Sequence, residues 1–188
     1  MRLVRLDEAG YRAASFLDQR ILRTSPEQAL MSAAVLAQAT KLLTARAHYI
    51  FHIGHVGSTL VSRLVGESES FFSVREPAML RDMALKPAQE RASGPIDLGG
   101  ILALLGRTWR SGQRAVVKAT SFVSEIAEPV LDVDCSSAAV FMFTPALAYL
   151  RCILGGPNSR LEARALAASR LSRLRRRLPE GASEIDPR

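Results

Sequence analysis

Cysteine is scarce in this 188-residue chain, with Cys135 and Cys152 alone. Two cysteines make no disulfide framework and suit a reducing compartment, which excludes a small cross-linked scaffold. Lysine is nearly as scarce: of 25 basic residues only Lys41, Lys86 and Lys118 are lysine, the other 22 being arginine. Long apolar runs are missing too. The longest uncharged one, Cys135 to Leu150, falls short of the roughly 18–20 residues that span a bilayer, and Pro145 interrupts it. At the amino end Arg2, Arg5, Asp7 and Glu8 stand where a secretory leader would have its apolar stretch. What is present is ordinary for a globular chain, 48% hydrophobic and 23% charged, enough to bury a sizeable core. The expectation is a cytoplasmic protein, not a membrane one, with one domain and some accessory length.

The net charge is +7. From Leu150 to Arg188, nine arginines face only Glu162, Glu180, Glu184 and Asp186, so this end supplies +5 of it. The run reads first as a solvated helix face in an arginine-rich composition; binding of nucleic acid or another anionic partner is the alternative. Arg173 to Arg177 circle the helix rather than line one side of it. Aromatic interleaving is lacking, and Trp109 is the single tryptophan, which weighs against nucleic acid.

Residues 1–46 are expected to form a helical segment. Ser25-Pro26-Glu27-Gln28 reads as its main helix start, with Ser as N-cap and Pro at the first helical position, and the helix runs to about Arg46. Residues 47–158 read as an α/β core. His48 to Ile53 is β-branched and aromatic and enters a glycine turn at Gly54; Leu60, Val61, Leu64 and Val65 then have helical spacing. Phe71 to Glu76 reads as a second strand with a helix over Pro77–Lys86, Asp97 to Trp109 as a helix, and Arg114–Lys118 and Ala138–Phe143 as strands. Residues 159–188 read as an arginine-rich helix and tail: Ser159-Arg160-Leu161-Glu162 is a capping box, and Pro179 stops the helix. Alternating strands and helices imply a parallel sheet with helices on both faces. In Glu76-Pro77 and Thr144-Pro145, proline should hold the preceding residue extended and then begin a helix. Polar groups thereby gather at the carboxyl ends of strands, where open parallel sheets bind ligands.

Gly54-His55-Val56-Gly57-Ser58-Thr59 joins a strand to a helix. Its glycines allow a tight turn whose N–H groups converge on an anion, and the helix N-terminus adds partial positive charge. A purely conformational turn capped by Ser58 is the plainer reading. The loop has no Lys before its hydroxyl residues, and the Ala138–Phe143 strand ends in Thr144 rather than an Asp, so the magnesium-dependent nucleotide-hydrolysis pattern is absent. His48, His52 and His55 fall within eight residues, but neither Cys nor a nearby acid completes a ligand set. His48 and His52 read as strand-packing residues, and no metal is expected.

Three separated pieces resemble the sulfotransferase superfamily: Phe51 to Leu60 around the loop, Val74-Arg75-Glu76-Pro77, and Val117-Lys118-Ala119-Thr120. The match covers roughly residues 48–155. Gly57-Ser58-Thr59 correspond to the family's Gly-Ser/Thr-Thr, with His55 where Lys or Arg is usual. Glu76 falls where some branches carry the acceptor-activating base, and Lys118 where a strand-end lysine is common. The resemblance implies a three-layer P-loop-type α/β fold with a parallel sheet. It further implies nucleotide binding, with 3′-phosphoadenosine-5′-phosphosulfate as donor and an unknown hydroxyl or amine acceptor. Gly54, His55, Val56, Gly57, Ser58 and Thr59 would then hold the 5′-phosphosulfate, while Glu76, His55 and Lys118 would be catalytic. His55 serves as a cation only when protonated. Solvated strand ends are the plainer readings of Glu76 and Lys118.

The chain departs from the family at the nucleotide's 3′-phosphate, where Thr144 and Cys152 occupy the positions of an Arg and a Ser. It is also expected to be short at the C-terminus, where the family continues to a basic loop over the nucleotide. A non-catalytic nucleotide- or anion-binding domain is therefore the alternative function, and nucleic-acid binding through the arginine-rich helix a third.

Overall fold

The β-branched and aromatic runs do form strands, and all four of the main ones lie parallel. The computed structural model describes residues 2–24, 27–44 and 46–175. Along the chain these form β1 (Arg2–Val4), α1 (Glu8–Ala13), α2 (Gln19–Thr24), β2 (Gln28–Leu30), α3 (Ala33–Thr40), β3 (Ala47–His52), α4 (Ser58–Gly66), β4 (Phe71–Arg75), α5 (Ala78–Leu85), α6 (Ala88–Ser93), α7 (Leu98–Leu105), β5 (Arg114–Lys118), a 3-10 turn (Ser121–Ile126), α8 (Ala127–Val133), β6 (Ala139–Met142), α9 (Ala146–Gly155) and α10 (Pro157–Arg175). They divide into two units, Met1–Phe143 and Thr144–Arg188.

In the first unit the sheet order is β4-β5-β3-β6, with Tyr49 opposite Val117 and Phe51 opposite Phe141. Because side chains alternate across a strand, Tyr49, Phe51, Phe72, Val74, Ala115 and Val117 share one face. They form the core with Leu80 and Met83 of α5, Ile101, Leu102 and Leu105 of α7, and Val123 and Val130 beyond β5. Phe51 is fully buried and stacks on Phe141 with centroids 4.9 Å apart. On the opposite face α4 is docked by a buried hydroxyl pair, Ser62 to Ser73 at 2.7 Å. Helices therefore cover both faces, as the alternating pattern implies. The chain leaves β3 through α4 to reach β4, passing β5, and leaves β5 through α8 to reach β6, passing β3. Adjacent strands whose connections depart in opposite directions open a crevice at their carboxyl ends. His52 and Lys118 end those two strands.

The amino-terminal segment departs from its expected long helix. β1 and β2 pair antiparallel, and α3 begins only at Ala33, with the Ser32 hydroxyl accepting from the Val35 N–H at 3.2 Å. Of the expected start, Ser25 and Pro26 lie outside the described residues. Capping signals are local, and here the non-local strand pairing with Arg2–Val4 takes Gln28–Leu30 instead. The X-Pro expectation is also corrected. Glu76 has φ +48 rather than an extended backbone, and Pro77 and Pro145 are N-caps, one residue before their helices. In the second unit α10 begins at Pro157, so Ser159 lies inside the helix rather than capping it. Arg176, Arg177 and Pro179 lie outside the described residues. Among the described residues no helix is long and apolar enough to cross a membrane.

Candidate functional site

The turn after β3 is built on left-handed backbone. Gly54 has φ +93 and Gly57 φ +76, a region open to glycine at little cost, and His55 between them has φ +54. A Cβ placed at Gly54 or Gly57 would meet nothing within 4 Å, so open space lies in front of the turn. Gly57 is the N-cap of α4 and no side chain caps the helix. The first N–H groups of an α-helix have no acceptor within it, so those of Ser58 and Thr59 are left for whatever occupies that space. Ser58 is buried, Thr59 half-buried, and His55 exposed.

Glu76 and Lys118, drawn from separate pieces of sequence, come together. Parallel pairing sets Arg75 beside Lys118, and the Glu76 N–H donates to the Lys118 carbonyl at 2.7 Å. The Lys118 ammonium donates to Glu76 Oε1 in a close ion pair. Lys118 is 1% exposed and the Glu76 side chain 19%, so the lysine depends on this partner while the carboxylate keeps a route to solvent. An ammonium removed from water needs such compensation.

His52 completes the cluster, beyond its reading as a packing residue. It is 7% exposed. Its Nδ1 accepts from the Gly54 N–H at 3.0 Å, which assigns the neutral ring's proton to Nε2. That Nε2 is buried without a hydrogen-bond partner and lies 3.9 Å from Glu76 Oε1. Burial and then the Lys118 charge push the imidazole below the ordinary histidine value, against upward pulls from Glu76 and, less strongly, from the Ala119 backbone beside the ring. Its carbonyl accepts from the Ser124 hydroxyl at 3.1 Å. Thr120 Oγ1, two residues past Lys118, is a second buried polar atom without a partner.

The amino-terminal segment roofs the cluster, which the sequence reading missed. Leu17 N–H donates to the Arg75 carbonyl at 2.8 Å, and the Leu17 carbonyl accepts from Ala78 N–H at 2.9 Å, bracketing Glu76. The Phe16 ring lies 5.5 Å from Lys118 Nζ and carries the Arg20 guanidinium at 3.9 Å on its centroid. Buried Arg75 anchors the segment by donating to the carbonyls of Tyr11 at 2.9 Å and Arg12 at 2.6 Å. A left-handed glutamate costs of order 1–3 kcal/mol; three backbone hydrogen bonds hold it. The alternating pattern of β3 does not distinguish His52 from a packing residue, and Phe16 and Leu17 carry no local signal for this role.

His48 does pack: its Nδ1 accepts from Ala138 N–H at 3.0 Å, pinning the entry to β6. Among the described residues no three of His, Cys, Asp and Glu are grouped to hold a metal ion. A cleft of about 480 Å³ lined by Arg46, Arg107 and Arg114 lies at the amino ends of β3 and β5, away from this cluster. Chemically, the carboxyl edge joins an anion-attracting helix start, a buried ammonium, an imidazole N–H without a partner and a partly exposed carboxylate. No family model, curated protein or solved structure matches the chain.

Proposed function

We propose that the chain is a sulfotransferase-like protein of P-loop type, transferring a sulfuryl group from 3′-phosphoadenosine-5′-phosphosulfate to a hydroxyl or amine. The observation carrying this reading is the Glu76–Lys118 pair at the carboxyl edge, beside a glycine turn that opens a helix N-terminus. The open space before Gly54 and Gly57 and the buried Nε2 of His52 fit an oxyanion ligand. The N–H groups of Gly57, Ser58 and Thr59 hold the 5′-phosphosulfate by geometry and helix charge. Sulfuryl transfer moves a group with one negative charge fewer than phosphoryl transfer, so Lys118 supplies the positive charge and His55 a further hydrogen-bond donor. Glu76 takes the proton from the acceptor O–H or N–H as the acceptor atom bonds to sulfur. The bridging S–O bond breaks and its electron pair leaves on the phosphate oxygen, where Lys118 stabilises it. Thr144 and Cys152 offer no cation for a 3′-phosphate, so the reading commits only to the phosphosulfate end.

Replacing Glu76 tests the role of the base. Glu76→Gln keeps the shape and removes the basicity, so sulfuryl transfer from labelled donor onto a panel of alcohols and amines should fall about 10²–10⁴-fold. Binding of adenosine 3′,5′-bisphosphate should persist. Undiminished transfer by this variant would refute the assignment. A second reading, a domain that binds the anion without turnover, is favoured by the ion pair itself, since a carboxylate closed on an ammonium is a poor base. Donor binding without transfer to any acceptor by the parent protein would select it.

A further inference from the structure

Glu76 Oε1 has two cationic or donor neighbours but is engaged by only one of them. Lys118 closes on it, while His52 Nε2–H, buried and without a partner, stops 3.9 Å away. A hydrogen bond forms at about 2.9 Å, so a shift of roughly 1 Å would join His52 to the same oxygen. Nε2–H makes no well-formed hydrogen bond in the interior, the Ala119 backbone beside it acting on the ring less strongly than Glu76 does, and a buried donor in that state gains from a better acceptor. Lys118 meanwhile sits at the end of the strand beside β3, whose turn is the proposed oxyanion site. His52 links the two through Nδ1, which holds Gly54 N–H at the start of that turn.

We propose that Lys118 and His52 are alternative partners for Glu76. An oxyanion on the 54–59 turn draws the Lys118 ammonium off the carboxylate, and His52 Nε2–H takes its place. This rests on the function proposed above and deepens it: without anion the base is masked by Lys118, and anion binding unmasks it. No bond beyond hydrogen bonds is made or broken, and no proton changes owner in the exchange. His52 is a positioning residue, holding the turn by one nitrogen and the base by the other. The coupling is reciprocal, so whatever loosens Lys118 from Glu76 also strengthens anion binding.

The test follows the His52 Nε2–H and the 54–59 amide signals by heteronuclear NMR while adenosine 3′,5′-bisphosphate, then inorganic phosphate, is added to the full chain. The expected result is a downfield move of Nε2–H in step with the amides of Gly57, Ser58 and Thr59. Amides that shift while Nε2–H stays in place would overturn the exchange and leave the anion site standing. Amides unmoved by both probes would remove the function reading and this inference together. Two variants separate the nitrogens. His52→Asn keeps an acceptor for Gly54 near Nδ1 but loses the donor to Glu76, and should weaken binding of the bisphosphate roughly tenfold, the scale of a hydrogen bond to a charged group. Glu76→Gln no longer retains Lys118, and should bind the bisphosphate at least as tightly as the parent. Unchanged binding in His52→Asn, or weakened binding in Glu76→Gln, would contradict the exchange. Glu76→Gln preserves side-chain volume, His52→Asn is smaller at a buried position, and the parent titration decides the matter alone should either fail to fold.

Discussion

At the scale of single residues, Glu76 and His52 show how the fold prepares chemistry. The glutamate sits at φ +48 before a proline, a conformation that the rule for residues preceding proline disfavours. It is held there by Leu17 on both sides and by Lys118 through its N–H. His52 is kept neutral by burial and the Lys118 charge, and only a neutral ring can accept from Gly54 at Nδ1. Its pKa is therefore lower in the folded chain than the ~6.5 of an unfolded one. On acidification the unfolded state takes up the proton first, so this contribution to stability is complete above ~6.5 and declines as pH falls below it. His48 is lowered as well, chiefly by desolvation, and shares the trend. Thermal unfolding followed between pH 7.5 and 5, about a unit or more either side of that value, should show a falling midpoint, with a shallower fall in His52→Asn. An equal slope in both proteins would mean His52 does not titrate as described.

Among elements, α4 matters because it presents the turn to its ligand. It is docked on β4 through Ser62 and Ser73, whose buried hydroxyls bond to each other. Ser62→Ala or Ser73→Ala alone should cost about 1–3 kcal/mol, since each strands the other hydroxyl. The double alanine variant should be more stable than the sum of the singles implies, measured by denaturant unfolding of all four proteins. Strict additivity would show that the pair does not depend on mutual hydrogen bonding. How legible such elements are follows from what forms them. Arg114–Lys118 can be read to the residue because five consecutive positions carry a strand pattern closed by a turn, and the glycine turn shows because Gly54 and Gly57 are chemically special. The pairing of Gln28–Leu30 with Arg2–Val4 and the strap of Leu17 over Glu76 are not legible. Both are backbone bonds between segments distant in sequence, and neither leaves a residue-type signature. Local capping and X-Pro rules lost at those places to non-local hydrogen bonds.

For the molecule as a whole, the first unit is tied together at both edges of its sheet. At the amino edge Asp134 accepts from Ser136, Ser137 and Arg46, and Ser137 donates to the Ala47 carbonyl at 2.6 Å, joining the approach to β6 to the start of β3. Hydrogen bonds from Ser136, then Ser137 and the Arg46 charge, lower the Asp134 carboxyl to about 2. A depressed carboxylate stabilises the fold above the unfolded value of ~3.9 and loses that effect as pH falls through its folded value. Asp134→Ala should thus unfold at lower temperature at neutral pH and lose less on going to strong acid. The carboxyl edge carries the functional account. Its most direct test is a thermal-shift titration of the full chain with adenosine 3′,5′-bisphosphate, with magnesium ATP in parallel. A ligand that binds only the folded state stabilises it by about 2.7 kcal/mol at a hundred times its dissociation constant. The account predicts a concentration-dependent rise in the midpoint with the bisphosphate, larger than with magnesium ATP and retained in Glu76→Gln. No rise with the bisphosphate, or a larger one with magnesium ATP, would contradict it.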